Sequence, residues 1–172
     1  MAMSAMSIRN LDTLFDPASV AVFGASRRSA SVGARVWANL RGGGFKGPLY
    51  PKHRELDARP VFARAADLPT VPDLAVICTP AATVAGLIAE LGALGTRAAV
   101  VLTAGLDAEH KRAMLAAARP HLLRILGPNC IGLLAPHIGL NASFAHTDAL
   151  AGELAFVSQA AAPVTAQPAP DH

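Results

Sequence analysis

The decapeptide GASRRSASVG, Gly24 to Gly33, sets glycines, hydroxyls and two guanidinium groups between an apolar run and an amphipathic stretch. Residues of those types at that spacing are suited to holding an anion. Gly24 permits a tight turn, Ser26 offers a hydroxyl, and Arg27 and Arg28 present forks that fit phosphate oxygens. A helix opening at about Val32 adds free N–H groups and a partial positive charge at the same point. A strand-to-helix turn with solvated arginines is the plainer alternative. The spacing is not the Gly-x-Gly-x-x-Gly of dinucleotide-binding loops.

A second polar group follows the run GPLYP: Lys52, His53 and Arg54. A loop that binds NAD places an acidic residue at this point to hold the ribose hydroxyls. A basic cluster instead suits a ligand with an extra phosphate on its adenosine ribose, such as coenzyme A or NADP; a solvated basic turn is the alternative. Further along, Thr79 and Pro80 close the run DLAVICT and form a rigid, largely apolar wall, or merely start a helix. Thr103, Ala104 and Gly105 close RAAVVLT with little side-chain bulk, so backbone can approach a ligand closely. Gly127 and Pro128 fix a turn, where Asn129 can bridge loops with its amide. Cys130 reads as an inert packing thiol, with a reactive thiol as the alternative, though nothing local clearly activates it.

No acid–base pair or metal cluster accompanies these loops. The six histidines are scattered, and none stands at motif spacing from a Ser or Cys nucleophile. The assembled features point to holding a nucleotide-like ligand, with no catalytic residue and no metal ligand assigned.

The elements that must position these residues alternate along the chain. Strand candidates are SVAVFG, GPLYP, DLAVICT, RAAVVLT, LRILG and ELAFVS. Helix candidates lie at Val32–Arg41, Thr83–Leu94 and Ala108–Arg119. Continuous apolar strands separated by helices predict an α/β fold, a Rossmann-like, mostly parallel sheet with helices on both faces. In such sheets ligands sit at the carboxyl ends of the strands, which is where every polar loop above falls.

The 172 residues suffice for one compact domain. A hydrophobic fraction of 52%, 16% charged residues and a mean hydropathy of +0.38 exclude a disordered chain. Aromatics at 5% leave no stacking platform for single-stranded nucleic acid. No apolar run is long enough for a bilayer, the N-terminus lacks a secretory signal, and two cysteines make no disulfide framework. A soluble, cytoplasmic protein is expected, without nucleic-acid or membrane partners.

Taken together and in order, LDTLFDPASVAVFGAS, NLRGGGFKGPLYP, DLAVICTP, AAVVLTAGLD and RILGPNCIGLLAPHIGLNASF resemble the CoA-binding domain of NDP-forming acyl-CoA synthetases. The same stretches are similar to the first part of the succinyl-CoA synthetase alpha subunit. They also resemble the CoA-binding segment of some bacterial protein lysine acetyltransferases. The resemblance covers roughly residues 10 to 159. It implies CoA or acyl-CoA lying across the strand tips. Gly24, Ala25, Ser26, Arg27, Arg28 and Ser29 would hold the nucleotide end, and Lys52 the ribose phosphate. Thr79, Pro80, Thr103, Ala104 and Gly105 would flank the pantetheine arm, with Asn129 and Cys130 near the thiol. In the family, an acid–thiol ligase, chemistry runs through an acyl phosphate and a phosphohistidine on the following domain.

The chain departs from the family in two places. After the second strand the family reads close to YPVNPK, where this chain reads YPK, which bears on the placing of Lys52. Beyond ELAFVS, Ala160 and Ala161 replace a Ser-Gly pair and Pro163 interrupts the phosphate-binding turn. The expected organisation is a flexible N-terminus at 1–9, a CoA-binding domain at 10–150, the start of a truncated second domain at 151–159, and a disordered Ala/Pro-rich tail at 160–172. The segment Gly152–Ser158 is expected as a strand lying loosely against the domain or at its sheet edge. The expected function is CoA or acyl-CoA binding without ligase activity in this chain alone, with a separate catalytic or ATP-grasp subunit as partner. A non-functional fragment of such a ligase or of a CoA-domain-fused acetyltransferase, and an NAD(P)-binding oxidoreductase domain, are the alternatives.

Overall fold

A computed structural model describes residues 9–25, 31–52 and 64–158. After a short helix α1 (Leu11–Phe15), the chain runs β1 (Val20–Phe23), α2 (Val32–Gly42), β2 (Leu49–Lys52), β3 (Leu74–Ile77) and α3 (Ala81–Leu94). It continues through β4 (Ala98–Val101), α4 (Ala108–Ala118) and β5 (Arg124–Leu126) to β6 (Gly132–Ala135) and β7 (Leu140–Ser143). The first five strands form a parallel sheet in the order β2-β1-β3-β4-β5.

Each central strand is four apolar residues buried on both faces, and the period of two divides them between two cores. Val20, Val22, Leu74, Val76, Ala98 and Val100 point to the face covered by Val36, Trp37 and Leu40 of α2. Ala21, Phe23, Ala75, Ile77, Ala99 and Val101 point to the opposite face, under Val84, Leu87, Ile88 and Leu91 of α3 and Met114 of α4. The chain leaves β1 in one direction to reach β2, then returns past it to β3 and onward to β5. Right-handed crossovers therefore place α2 on one face and α3 and α4 on the other. Among the described residues no helix is long and apolar enough to cross a membrane.

The three expected helices are present, each within two residues of its predicted bounds, and so are five of the six expected strands. The sixth is not. Residues 152–158 form no strand, with Leu154 and Val157 each more than 90% exposed and Phe156 65% exposed. They pair with no sheet edge. Their apolar alternation gives β-propensity, but a strand exists only when a neighbour accepts its ladder. Two elements are additions to the sequence reading. Helix α1 buries Leu14 in the first core. The antiparallel pair β6–β7 covers part of α2, inserting Leu133, Ala135, Leu140 and Ala142 into the same core.

Helix α2 is held at its start by Ser31, whose Oγ accepts a hydrogen bond from Ala34 N at 3.2 Å. Ser31→Ala is expected to cost about 1 kcal/mol, a drop of about 2–4 °C in Tm by differential scanning calorimetry. An unchanged Tm would show that the cap carries no stability.

Candidate functional site

In the order β2-β1-β3-β4-β5 the chain reverses direction between β1 and β3, and the crevice for a ligand opens at the carboxyl ends of those two strands. Two glycines set its shape. Gly24, at the tip of β1, has φ +89°, and a Cβ there would lie 2.8 Å from the carbonyl carbon and oxygen of Cys78. Gly33, in the first turn of α2, has even less room: its Cβ would fall 1.9 Å from Gly24 O. The start of α2 is thus seated backbone-on-backbone against the tip of β1, which directs its N-terminal end at the crevice. Ala25 between them is fully buried. Ser26, Arg27, Arg28 and Ser29 lie outside the described residues, as do His53 and Arg54. Lys52 ends β2 in register with Phe23, one residue short of Gly24 on the neighbouring strand.

The remaining predicted residues form a hydrogen-bonded rim along the same edge. Cys78 N donates to Phe23 O at 2.8 Å, carrying the β1–β3 ladder up to the tips. Thr103 Oγ1, beyond β4, donates to Thr79 O, beyond β3, at 2.7 Å. Asn129 N, beyond β5, donates to Thr103 O at 3.1 Å, with Asn129 itself exposed at φ +57°. Cys130 Sγ donates to Val101 O at 3.5 Å. Pro80 is exposed at the start of α3, and Ala104 and Gly105 are exposed after β4. A Cβ on Gly105 would meet nothing within 4 Å, so this part of the rim is open. Sequence reasoning located these tips. It missed that the Thr103 hydroxyl is spent on bracing a neighbour, which no spacing reveals, and it missed the Ser31 cap, which a Ser just before a helical run does signal.

Among the described residues the rim contains no acid–base apparatus. Burial first, and the neighbouring Cys130 second, push the Cys78 thiol up to about 12. Burial also raises Cys130, against backbone hydrogen bonds that lower it. Both thiols therefore stay protonated at neutral pH and are poor nucleophiles. His110 is engaged by Asp107, the N-cap of α4, at 2.8 Å. Among the described residues no cluster of His, Cys, Asp and Glu suits a metal ion. A hollow of about 130 Å³ lies between the end of α2 and the β6–β7 pair, lined in part by Gly43, Leu134 and Asp148. None of the tip residues lines it, and its chemistry does not connect with theirs.

Residues 18–136 match a protein family described as a CoA binding domain. The chain belongs to that family. As a CoA-binding domain, it is 34% identical over 161 residues to an ADP-forming acetate–CoA ligase I of Archaeoglobus fulgidus, covering 88% of this chain and 23% of that protein. It is 35% identical over 166 residues to the alpha subunit of the ADP-forming acetate–CoA ligase I of Pyrococcus furiosus, covering 89% and 36%. Among solved structures, it superposes with a TM-score of 0.82 and 37% identity on an acetyl-coenzyme A synthetase 1 of Ca. Korarchaeum cryptofilum in complex with phosphate and ADP. That match covers 89% of this chain and 34% of the other. The chain thus spans about a quarter to a third of the length of these relatives.

One further feature of the CoA-binding domain tests whether its residues fit such a ligand. Thr79 Oγ1 is shut off from solvent and has no hydrogen-bond partner. Buried polar atoms are rarely left so. Thr79 itself follows β3 close to Gly24, its amide nitrogen 3.1 Å from where a Gly24 Cβ would lie, next to a rim of small exposed residues.

Proposed function

We propose that this domain binds CoA or acyl-CoA across the carboxyl edge of its sheet and contributes the coenzyme site of an NDP-forming acyl-CoA synthetase. The observation that carries the reading is the closure of Gly33 on Gly24, which aims the start of α2 into the β1/β3 crevice. In this reading Gly24, Ala25, Ser26, Arg27, Arg28 and Ser29 hold the diphosphate end, and Lys52 faces the ribose phosphate. Thr79, Pro80, Thr103, Ala104 and Gly105 line the arm, and Asn129 and Cys130 flank its thiol end. When bound, CoA supplies the thiol that accepts an acyl group. The chain's own residues bind and orient it, and none is assigned to transform it.

The ligase chemistry, on this reading, belongs to a separate subunit carrying the phosphohistidine and ATP-grasp domains, in a cytoplasmic enzyme. The similarity to an alpha subunit supports this, as does the exposed apolar side of residues 150–157. We assign residues 10–150 to the coenzyme domain and 151–159 to the start of a following domain.

Titration calorimetry with CoA tests the site. The wild-type chain is expected to bind with a micromolar dissociation constant or tighter, and Ser26→Glu, which sets a negative charge against the diphosphate, at least about tenfold more weakly. Equal affinity of the two chains would refute the placing of the diphosphate. Absence of heat from the wild type would refute CoA binding itself.

A further inference from the structure

The chain beyond β7 is tied back to the last turn of α2, at the end of the helix away from the crevice. Asn39 in that turn donates from Nδ2 to Ser143 O and to Ala145 O, both at 2.9 Å. The two N–H donors of one amide thus serve two carbonyls of the departing chain. Ser143 Oγ donates to Asn141 Oδ1 at 2.6 Å and accepts from Ala145 N at 3.2 Å. Asn141 Nδ2 in turn donates to the Asp148 carboxylate. Asn141, Ser143 and Ala145 are buried, whereas every residue from 146 to 158 is exposed. The network therefore sits where the chain passes from the core into solvent.

The support beneath Asn39 is stiff, while the space beneath the departing chain is not filled. A Cβ on Gly43, just past α2, would lie 2.6 Å from Gly139 O in the turn between β6 and β7. Helix end and turn are thus pressed together, and Asn39 is held in place. The hollow of about 130 Å³ lies beside them, with Gly43 and Leu134 on one side and Asp148 and Ala149 of the departing chain on the other. Atoms facing a void make no dispersion contacts across it. Only Phe144 packs against the first core here, from a half-buried position, and its N donates to Ile131 O at 3.2 Å. A segment with few buried apolar contacts, held by side-chain hydrogen bonds, is the kind that opens locally.

We propose that residues 144–149 form a strap, latched to α2 by Asn39 and Ser143, that opens as a unit while the sheet stays folded. The closed strap sets the point and direction at which the exposed apolar residues 150–157 leave the domain, and Asn39 is its positioning residue. The inference goes beyond the CoA reading and does not rest on it, because α2 meets the crevice at its other end.

The test is amide hydrogen exchange, followed residue by residue by NMR on the full chain. The reference amides are those of Cys78 and Leu102, which donate across the sheet to Phe23 O and Ile77 O. In the wild type, Phe144 and Ala145 are expected to be protected at least about tenfold less than these, with a weaker dependence on denaturant. Asn39→Ala removes the acceptor of neither strap amide, and alanine suits a helix. It is nevertheless expected to lower the protection of both by about tenfold, because it leaves two carbonyls of the closed strap without their donor, while Cys78 and Leu102 keep theirs. Ser143→Ala, a smaller change, is expected to expose Phe144 as well as Ala145, although only Ala145 loses its acceptor. Wild-type protection of Phe144 and Ala145 in Asn39→Ala would overturn the latch. Equal loss at Cys78 and Leu102, or failure of Asn39→Ala to fold, would show that the network belongs to the sheet's own stability and overturn the strap. A Ser143→Ala chain in which Ala145 alone changes would show that the segment does not open as a unit.

Discussion

Gly33→Ala is expected to cost the domain about 3 kcal/mol and lower its Tm by about 6–12 °C, although alanine is the better helix former. The added methyl would fall 1.9 Å from Gly24 O, with Ala25 Cα at 3.2 Å behind it. Neither neighbour is a flexible side chain, so α2 must lift away from the tip of β1. Lifting α2 opens the core beneath Val36, Trp37 and Leu40, and moves the N-terminal end of the helix out of the crevice. CoA affinity should therefore fall with stability. Gly86→Ala in α3 is the control, because a Cβ there would meet nothing within 4 Å. It should stabilise the domain by about 0.5–1 kcal/mol through helix propensity alone. Thermal melts of the two variants settle the matter: a Gly33→Ala chain that melts with the wild type would show that the two backbones are not pressed together.

Cys78 should be alkylated by iodoacetamide at neutral pH slower than an exposed cysteine peptide by a factor on the order of 10³, because burial holds its thiol protonated to about 12. The same shift makes stability depend on pH. The unfolded chain releases this proton at about 8.5, while the folded chain keeps it. Between about pH 9 and 12 the folded state therefore binds more protons, and stability falls as pH rises through that window. By pH 10 the loss is about 2 kcal/mol, and Cys130, shifted in the same direction, adds to it. Below about pH 7 the thiols contribute almost no slope. Melts at pH 8 and pH 10 on the wild type and Cys78→Ala check this, with the variant expected to show the shallower decline. Rapid modification of Cys78 in the native chain, or identical pH dependence of the two chains, would overturn the assignment.

Neither thiol is set up as a nucleophile. A nucleophilic cysteine needs a cation or a helix N-terminus to favour the thiolate. Cys78 and Cys130 instead pack against the apolar residues of the first core.

How much of this was legible beforehand depended on whether the information was local. VAVF, LAVI and AAVV are continuous apolar runs bounded by polar turns, so their burial on both faces and their parallel arrangement followed from composition and period. The helices α2, α3 and α4 showed themselves by length and apolar spacing. The pair β6–β7 did not, because each strand is four residues long and only their mutual pairing makes them strands. ELAFVS shows the converse. It carries a strand's pattern, and no strand forms without a partner edge. The strand order, and with it the β1/β3 crevice, came from the structure alone, because alternation of strands and helices is compatible with several orders.

The sequence by itself determined the class of fold, the five strand tips and the kinds of residue they present, since propensity, period and turn chemistry act over a few neighbouring positions. Tertiary structure alone decided that Gly33 closes on Gly24, that Thr103 braces Thr79, and that the Thr79 hydroxyl is buried without a partner. Those facts depend on which groups meet in space, across nine residues for Gly24 and Gly33 and across 24 for Thr79 and Thr103. Hydrogen bonding and steric contact act over a few ångströms in space, and only the folded chain sets which groups come within that reach.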